Sequence, residues 1–449
     1  MIPVVTPSEM ATIDKEAGEP LELLIQRAGQ AVAWKARKIL KGTYGKRVTV
    51  IAGKGNNGAD GLEAAKYLQR WGIKVNVISM DNVPISLQEC DLLIDAVVGT
   101  GLKRPYDAPD FLVPTLSIDI PSGICGLTGE AKGKPFRANE TITFQALKPG
   151  HLLANGPFHT GSVTVADIGL NVSDTKTYVL EKSDVATMLS NMHYRKHKWK
   201  AACWIIGGSH GMTGAPLLAS KAALRSGSGY VRLSIPGELS KLSSEIVGFD
   251  LPSANWEKKI SRAEQKRFNS LVVGPGLGKS PETISSVHNL LSETQIPIVL
   301  DADALFAIGQ KPTDNLKFER NIILTPHDAE YEYLTGHRPQ NNRVLDVRNE
   351  AMKLNAIILL KGPTTVVAHP DGRCFLVNNG DQRLATAGTG DVLSGIIAGL
   401  LSQGVSPFEA AAAGAWIHAE AANNCVAKGM VASDIINAIP EVLSETHMG

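Results

Sequence analysis

The chain has 449 residues, of which 43% are hydrophobic and 5% aromatic, and its net charge is +1 at pH 7. That length favours more than one domain, and the near-neutral charge excludes the electrostatic footprint of a nucleic-acid or membrane-surface binder. Five cysteines are scattered without a CxxC pair, so neither a structural zinc site nor a disulfide framework is expected, and a reducing cytoplasm is. The N-terminus lacks a basic segment followed by a long apolar core, which argues against a secretory signal. No stretch of about 18 apolar residues is present to cross a membrane.

The first third alternates strand-like and helix-like segments. Arg47–Gly53 reads as a buried strand; Leu62, Ala65 and Leu68 then recur at helical spacing, and Gly72 ends that helix. Further strands are expected at Val75–Met80, Leu92–Val98 and Leu116–Ile120. Such alternation implies a mostly parallel sheet with helices on both faces, whose ligands bind beyond the carboxyl ends of the strands. Around residues 172–180 the texture turns polar, and the sequence divides into domains 1–175 and 176–449. The basic stretch carrying His193 and His197 reads as solvated linker. A second alternating series predicts strands at Trp204–Ile206, Leu271–Gly274, Ile298–Asp301, Ile322–Thr325 and Ile357–Lys361, with long helices after Thr213 and Asp391.

Three polar turns fall at strand ends in the first domain. Gly53-Lys-Gly-Asn-Asn-Gly58-Ala-Asp-Gly61 contains GxGxxG, with Asp81 ending the next strand, a pattern shared with nicotinamide-dependent dehydrogenases. Its Asn56, Asn57 and Asp60 add oxygens that suit a hard cation, ribose or an amide better than a bare pyrophosphate. Asp95-Ala-Val-Val-Gly99-Thr-Gly-Leu-Lys-Arg-Pro105 and Ile118-Asp119-Ile-Pro-Ser122-Gly123 follow. Taken singly, each polar residue reads as a turn or helix cap. Three such turns at adjacent strand ends point instead to a site, with Asn57, Asp95 and Ser122 as candidate oxygen ligands of a monovalent ion.

In the second domain Gly388-Thr-Gly-Asp391 precedes Val392, Leu393, Ile396, Ile397, Leu400 and Leu401, which stripe one face of a helix. The turn offers backbone N–H groups and a helix dipole to an anion. Asp391 can take a proton from a substrate hydroxyl while those groups hold the transferring phosphoryl; capping alone does not explain the Gly-Thr-Gly. Gly274–Ser280 ends like a P-loop, but Val273 stands where that motif needs glycine. Asp301 and Asp303 read equally as metal ligands or as braces of a strand-end loop. His418, on an apolar helix, reads as a core histidine.

The motifs NNGADG, IDAVVGTGLKRP, IDIPSG and TFQALKPGHLLANG resemble those of the NAD(P)HX epimerase family over residues 8–172, with Ala59 where that family has glycine. IGGSHGMTGAP, VGPGLG, LDADAL, LTPH, KGPTT and GTGD resemble the ADP-dependent NAD(P)HX dehydratase family, within the ribokinase-like superfamily, over 178–446, with Asp328-Ala329 in place of Pro-Gly. The resemblance implies an α/β protein: an N-terminal Rossmann-like three-layer α/β sandwich and a C-terminal ribokinase-like α/β domain. It implies potassium on Asn57, Asp95 and Ser122, and hydrate contacts from Asn56, Asn57, Gly58, Ala59, Asp60, Gly99, Thr100, Gly101, Leu102, Lys103, Arg104, Pro105 and Asp119. In the second domain it implies ADP on Lys361, Gly362, Pro363, Thr364, Thr365 and Gly390, the hydrate on Ala215, Gly276, His327 and Asp391, and Mg²⁺ entering with the nucleotide. The implied activity is repair of hydrated NADH and NADPH (NADHX and NADPHX): epimerisation of the (R) and (S) forms, then ADP-dependent dehydration of the (S) form to give AMP and phosphate. Asp119 is expected as the base of the first reaction with Lys103 as its cationic partner, and Asp391 as the base of the second. A cytoplasmic homo-oligomer is expected. Two rival readings are a sugar or vitamin kinase with a Rossmann-like regulatory domain, and a non-catalytic nucleotide-binding module in the N-terminal half.

Overall fold

The computed structural model describes residues 1–190, 192, 197–238, 245–309 and 322–447. It divides into two compact units, residues 2–177 and residues 178–449 with Met1. His193 lies outside the described residues; His197 caps a short 3-10 turn at Lys198–Ala201. Among the described residues no helix is long and apolar enough to cross a membrane.

The first unit is built on six strands: β1 (Arg47–Ala52), β2 (Lys74–Ser79), β3 (Leu92–Ala96), β4 (Thr115–Ile118), β5 (Glu140–Phe144) and β6 (Ser162–Ala166). They form a parallel sheet in the order β2-β1-β3-β4-β5-β6. Side chains alternate across it. Val48, Val50, Leu92, Ile94, Leu116, Ile118 and Ile142 share a core with helices α1 (Pro7–Glu16), α2 (Leu21–Leu40) and α3 (Asn56–Arg70). Ile51, Leu93 and Val97 face the other way, where Phe136, Val83, Leu87, Phe111 and Val113 cover them. Irregular chain covers that second face instead of the helices expected there. Pro84, Pro105, Pro109 and Pro114 fall in these connections and disfavour helix.

The strand order switches between β1 and β3, and a crevice opens at their carboxyl ends. Helix α3 begins at Asn56, so Asn56 to Asp60 form its first turn where sequence suggested a loop. A Cβ at Gly53 would sit 1.8 Å from the Val97 carbonyl oxygen, and one at Gly61 would sit 2.4 Å from the Ala96 Cβ. Glycine at both positions lets α3 rest directly on the ends of β1 and β3.

The second unit carries β7 (Ala202–Ile206), β8 (Tyr230–Ser234), β9 (Ile246–Gly248), β10 (Ser270–Val273), β11 (Ile298–Leu300), β12 (Ile322–Leu324), β13 (Ile357–Leu360), β14 (Thr365–Ala368) and β15 (Cys374–Val377). Their order is β15-β14-β13-β12-β11-β10-β7-β8-β9. From β9 to β13 the pairing is parallel, and β13, β14 and β15 are antiparallel. Parallel strands end level, which brings Gly207, Gly274, Asp301 and Lys361 to one edge. The helices that matter to that edge are α4 (Gly214–Arg225), α5 (Asp303–Gly309), α6 (Asp328–Thr335), α7 (Thr389–Ser402) and α8 (Pro407–Asn423). Helix α7 is buried on nearly every side, not along one stripe, because it is packed against α4, α8 and the sheet. A Cβ at Gly395 would lie 2.2 Å from the Ala219 carbonyl oxygen.

Gly61→Ala forces a methyl group against Ala96 and should destabilise the first unit by about 1–3 kcal/mol. Urea unfolding followed by the fluorescence of the Trp34–Trp71 pair, whose rings are 4.9 Å apart, measures it. Gly55→Ala, whose Cβ would meet nothing within 4 Å, is the control; equal midpoints for the two variants would refute the packing argument.

Candidate active sites

In the first unit the crevice is a cleft of about 400 Å³. Met10, Leu24, Ile25, Ala28, Phe144 and Ile168 form its apolar wall; Asp14, Asn56, Asn57, Asp60, Thr100, Asp119 and Lys148 form its polar side. Asp119 follows β4 with φ of 64°, a left-handed turn that a short polar side chain tolerates. Its carboxylate accepts from the Thr100 N–H (3.0 Å) and Thr143 Oγ1 (3.1 Å) and pairs with Lys148 Nζ at 2.9 Å. Lys148 is only 2% exposed and also donates to Thr143 Oγ1 at 2.7 Å. His151 ties the two together: its Nε2 donates to the Asp119 carbonyl at 2.7 Å and its Nδ1 accepts from the Lys148 N–H at 2.9 Å. Burial works against the charge on Asp119, but Lys148 and the hydrogen bonds outweigh it and hold the group down at about 2. Burial and the Lys148 charge bring His151 down to about 4.

The cation beside Asp119 is therefore Lys148, not Lys103. Lys103, Arg104 and Pro105 are exposed, and the loop contributes only Gly99, Thr100 and Gly101 to the cleft lining. Gly58 serves packing, since a Cβ there would meet the Gly53 carbonyl oxygen at 2.0 Å; Ala59 and Leu102 also lie outside the lining. Asp60 faces the cleft, and burial, Asp119 and Asp14 push its carboxyl up to about 8. Asp95 is fully buried and accepts from Ser122 Oγ (2.6 Å), the Ser122 N–H (2.8 Å) and Ser117 Oγ (2.8 Å). Burial still pushes it above the usual carboxylate range. Asn57 is hydrogen-bonded to neither Asp95 nor Ser122; both atoms of its buried amide lack a partner.

In the second unit the site forms where β11, β12 and β13 end against the start of α7. Lys361 Nζ reaches Asp301 at 3.0 Å and Glu330 at 3.5 Å, and Ser394 Oγ donates to the other Asp301 oxygen at 2.7 Å. Burial opposes the Lys361 charge, but Asp301 and Glu330 keep it above its ordinary value. Gly390 leaves room for that ammonium, 3.5 Å from where its Cβ would be. Asp391, in the first turn of α7, is pushed up to about 7 by burial and by Asp301, against the pull of Lys361. Gly362 and Pro363 are exposed at the β13–β14 hairpin, Thr364 is buried, and Thr365 opens β14. Ala215 and Gly276 adjoin: a Cβ on Gly276 would be 3.4 Å from that of Ala215. His327 is exposed and caps α6, with Glu330 completing the cap from its side. Asp301 holds Lys361 and Ser394, and Asp303 accepts from the Gly278 N–H at 2.9 Å, contacts that a bracing role requires. His418 is buried on α8, as a core histidine would be, facing the Thr389 backbone.

Residues 203–441 match the family model of NAD(P)H-hydrate dehydratase, and residues 21–84 and 78–150 match that of the YjeF-related protein N-terminus. A bifunctional NAD(P)H-hydrate repair enzyme from Moorella thermoacetica is 32% identical over 98% of this chain and 96% of its own length. One from Salinibacter ruber is 31% identical over 99% of this chain and 96% of its own. The chain belongs to the bifunctional NAD(P)H-hydrate repair enzyme family. Among solved structures, the ADP/ATP-dependent NAD(P)H-hydrate dehydratase of Bacillus subtilis, co-crystallised with ATP and Mg²⁺, is 27% identical and aligns with 60% of this chain and 98% of its own at a TM-score of 0.52. A ribokinase-like protein of Enterococcus faecalis, 23% identical with a TM-score of 0.53, covers 62% of this chain and 99% of its own and shares the fold.

In this repair-family chain, sequence reasoning overlooked Lys148 and Glu330. A signal for Lys148 was present: a lysine inside the apolar run Phe144–Pro149 is costly to bury unless it has an acid to meet. Replacing Lys148 with Met should move the Asp119 carboxyl up from about 2 into the titratable acid range. Because its folded-state value lies below the unfolded one, Asp119 adds stability that is present above the unfolded value and lost as pH falls toward 2. Lys148→Met should forfeit that increment, and Lys103→Ala should leave it intact; ¹³C NMR titration of the aspartate side chains with acid unfolding curves makes the comparison.

Proposed function

We propose that this chain repairs hydrated NADH and NADPH. Residues 1–175 interconvert the (R) and (S) hydrates, and residues 176–449 dehydrate the (S) hydrate with ADP, releasing AMP and phosphate. The observation that carries the reading is the placement of Asp391 in the first turn of α7, where the Lys361–Asp301–Glu330 cluster meets the strand ends; burial and Asp301 raise its carboxyl to about 7. A general base works best when poised near the working pH. Asp391 takes the proton of the ring hydroxyl as its oxygen attacks the terminal phosphorus of ADP and AMP departs. Phosphate then leaves with the carbon–oxygen bond pair and takes up the proton that the adjacent ring carbon loses, which restores the double bond. Helix α7 offers its free N–H groups to the phosphoryl oxygens, with Lys361 to Thr365 and Gly390 toward the nucleotide and Ala215, Gly276 and His327 toward the hydrate.

Mg²⁺ bound with the nucleotide would supply Lewis-acid stabilisation of phosphate charge. Potassium suits the first unit because the Asn57 amide oxygen is buried without a donor. Asn57, Asp95 and Ser122 would hold it, placing a fixed positive charge among buried carboxyls. Asp119 is the base of the epimerisation, kept ionised by Lys148. Five unpaired cysteines support a cytoplasmic setting.

The purified chain, given both hydrate epimers of NADH with ADP, Mg²⁺ and K⁺, should regenerate dihydropyridine absorbance completely. Arrest near half conversion would remove the epimerase, and transfer of phosphate to a sugar or pyridoxal in place of repair would overturn the whole reading. Asp391→Asn should slow dehydration by about 10²–10⁴-fold while epimerisation persists. The wild-type dehydration rate should rise with pH through about 7 as the base ionises.

A further inference from the structure

We propose that Asp60 is the proton donor of the epimerisation, acting opposite Asp119 as the base; this rests on the epimerase reading above. Asp60 comes from the first turn of α3 and Asp119 from the end of β4, and both line the same cleft. Their surroundings are opposite in kind. Asp119 has a buried lysine and two hydrogen-bond donors on its carboxylate. The Asp60 side chain is 8% exposed, and among the described residues its carboxyl has neither a hydrogen bond nor an ion pair. The charged side chains that face it are Asp119 and Asp14, both acidic; the cation across the cleft, Lys148, is engaged by Asp119 and Thr143, and potassium on Asn57, Asp95 and Ser122 would have its charge met by the buried Asp95. A buried carboxyl without a partner keeps its proton, in keeping with its rise to about 8. Two carboxyls in one cleft, driven apart by their environments, make an acid and a base.

The chemistry requires such a pair. The hydrated ring carries a hydroxyl on the carbon next to the ring nitrogen. Asp119 removes the hydroxyl proton, the carbon–oxygen double bond forms, and the carbon–nitrogen bond breaks with its electron pair passing to nitrogen. Asp60 delivers its proton to that nitrogen, leaving an open-chain aldehyde and a neutral N–H. Rotation about the adjacent carbon–carbon bond turns the other aldehyde face to the nitrogen. Closure runs the same steps backwards: Asp60 recovers its proton, Asp119 returns the other, and no oxidant or co-reactant is consumed.

The test uses the full chain without ADP, following conversion of the (R) to the (S) hydrate of NADH by chromatography across neutral and alkaline pH. Wild-type kcat should fall as pH rises through about 8, where Asp60 loses its proton. Asp60→Asn should lower kcat by about 10²–10⁴-fold with KM little changed and should abolish the alkaline fall; Asp60→Glu should restore part of the rate. Asp60→Asn with near-normal kcat, an alkaline fall that survives in it, or a loss confined to KM would overturn the proposal. A group with a raised folded-state value adds stability that is full below the unfolded value and lost as pH rises through about 8. Asp60→Asn should therefore unfold no earlier than wild type in alkaline buffer, and earlier unfolding would reveal a stabilising partner and refute the proposal. A wild-type chain that does not interconvert the hydrates overturns the epimerase reading and this inference together, whereas an active Asp60→Asn overturns the inference alone.

Discussion

Among the described residues, each unit gathers several carboxyl groups at its strand ends around one lysine that bonds only some of them. Lys148 meets Asp119 in one unit, and Lys361 meets Asp301 and Glu330 in the other. Burial makes a lone charge costly at either place, so each lysine biases which acid is ionised. The acids left over, Asp60 and Asp391, settle at about 8 and about 7. Neither value arises from the residue itself; burial raises both, and the nearby ammonium is held by another acid.

This gathering depends on geometry. Parallel strands that end level gather residues far apart in the chain onto one edge, and close helix seating keeps water from the gaps between them. Gly53 and Gly61 let α3 sit on β1 and β3, and Gly395 lets α7 press on α4. A single methyl group at these contacts would lift the helix whose first turn carries Asp60 or Asp391.

The parallel architecture was legible because the mainly apolar runs at 48–52, Leu92–Ala96, Ile298–Leu300 and Ile357–Leu360 are buried on both faces, which leaves no regular polar alternation in the sequence. The turns after them were legible for the same reason: polar residues and glycines stand out against such runs. Partner choice was not. Lys103 and Lys148 both lie near strand ends in sequence, and only the fold shows that one is exposed and the other sealed behind β5. The start of α3 was obscured by Asn and Gly, poor helix formers that the strand ends nonetheless hold in a helical turn. The irregular cover of the second face of the first sheet was hidden because apolar loop residues such as Leu87 and Val113 carry no period. The all-round burial of α7 was missed because only its large apolar residues were read as a face, whereas Gly395 and Gly399 are close contacts and Ala398 is buried as well.

His327 illustrates how a cap fixes the state of a side chain. Its Nδ1 accepts hydrogen bonds from the Ala329 and Glu330 N–H groups at 3.1 and 3.3 Å. A ring nitrogen that accepts carries no hydrogen, so the imidazole is locked as the Nε2–H tautomer. That N–H lies 3.5 Å from a Glu330 oxygen, so beyond the cap the ring presents a donor and not an acceptor. Neither capping N–H belongs to residue 328, so Asp328 in place of proline leaves the cap intact.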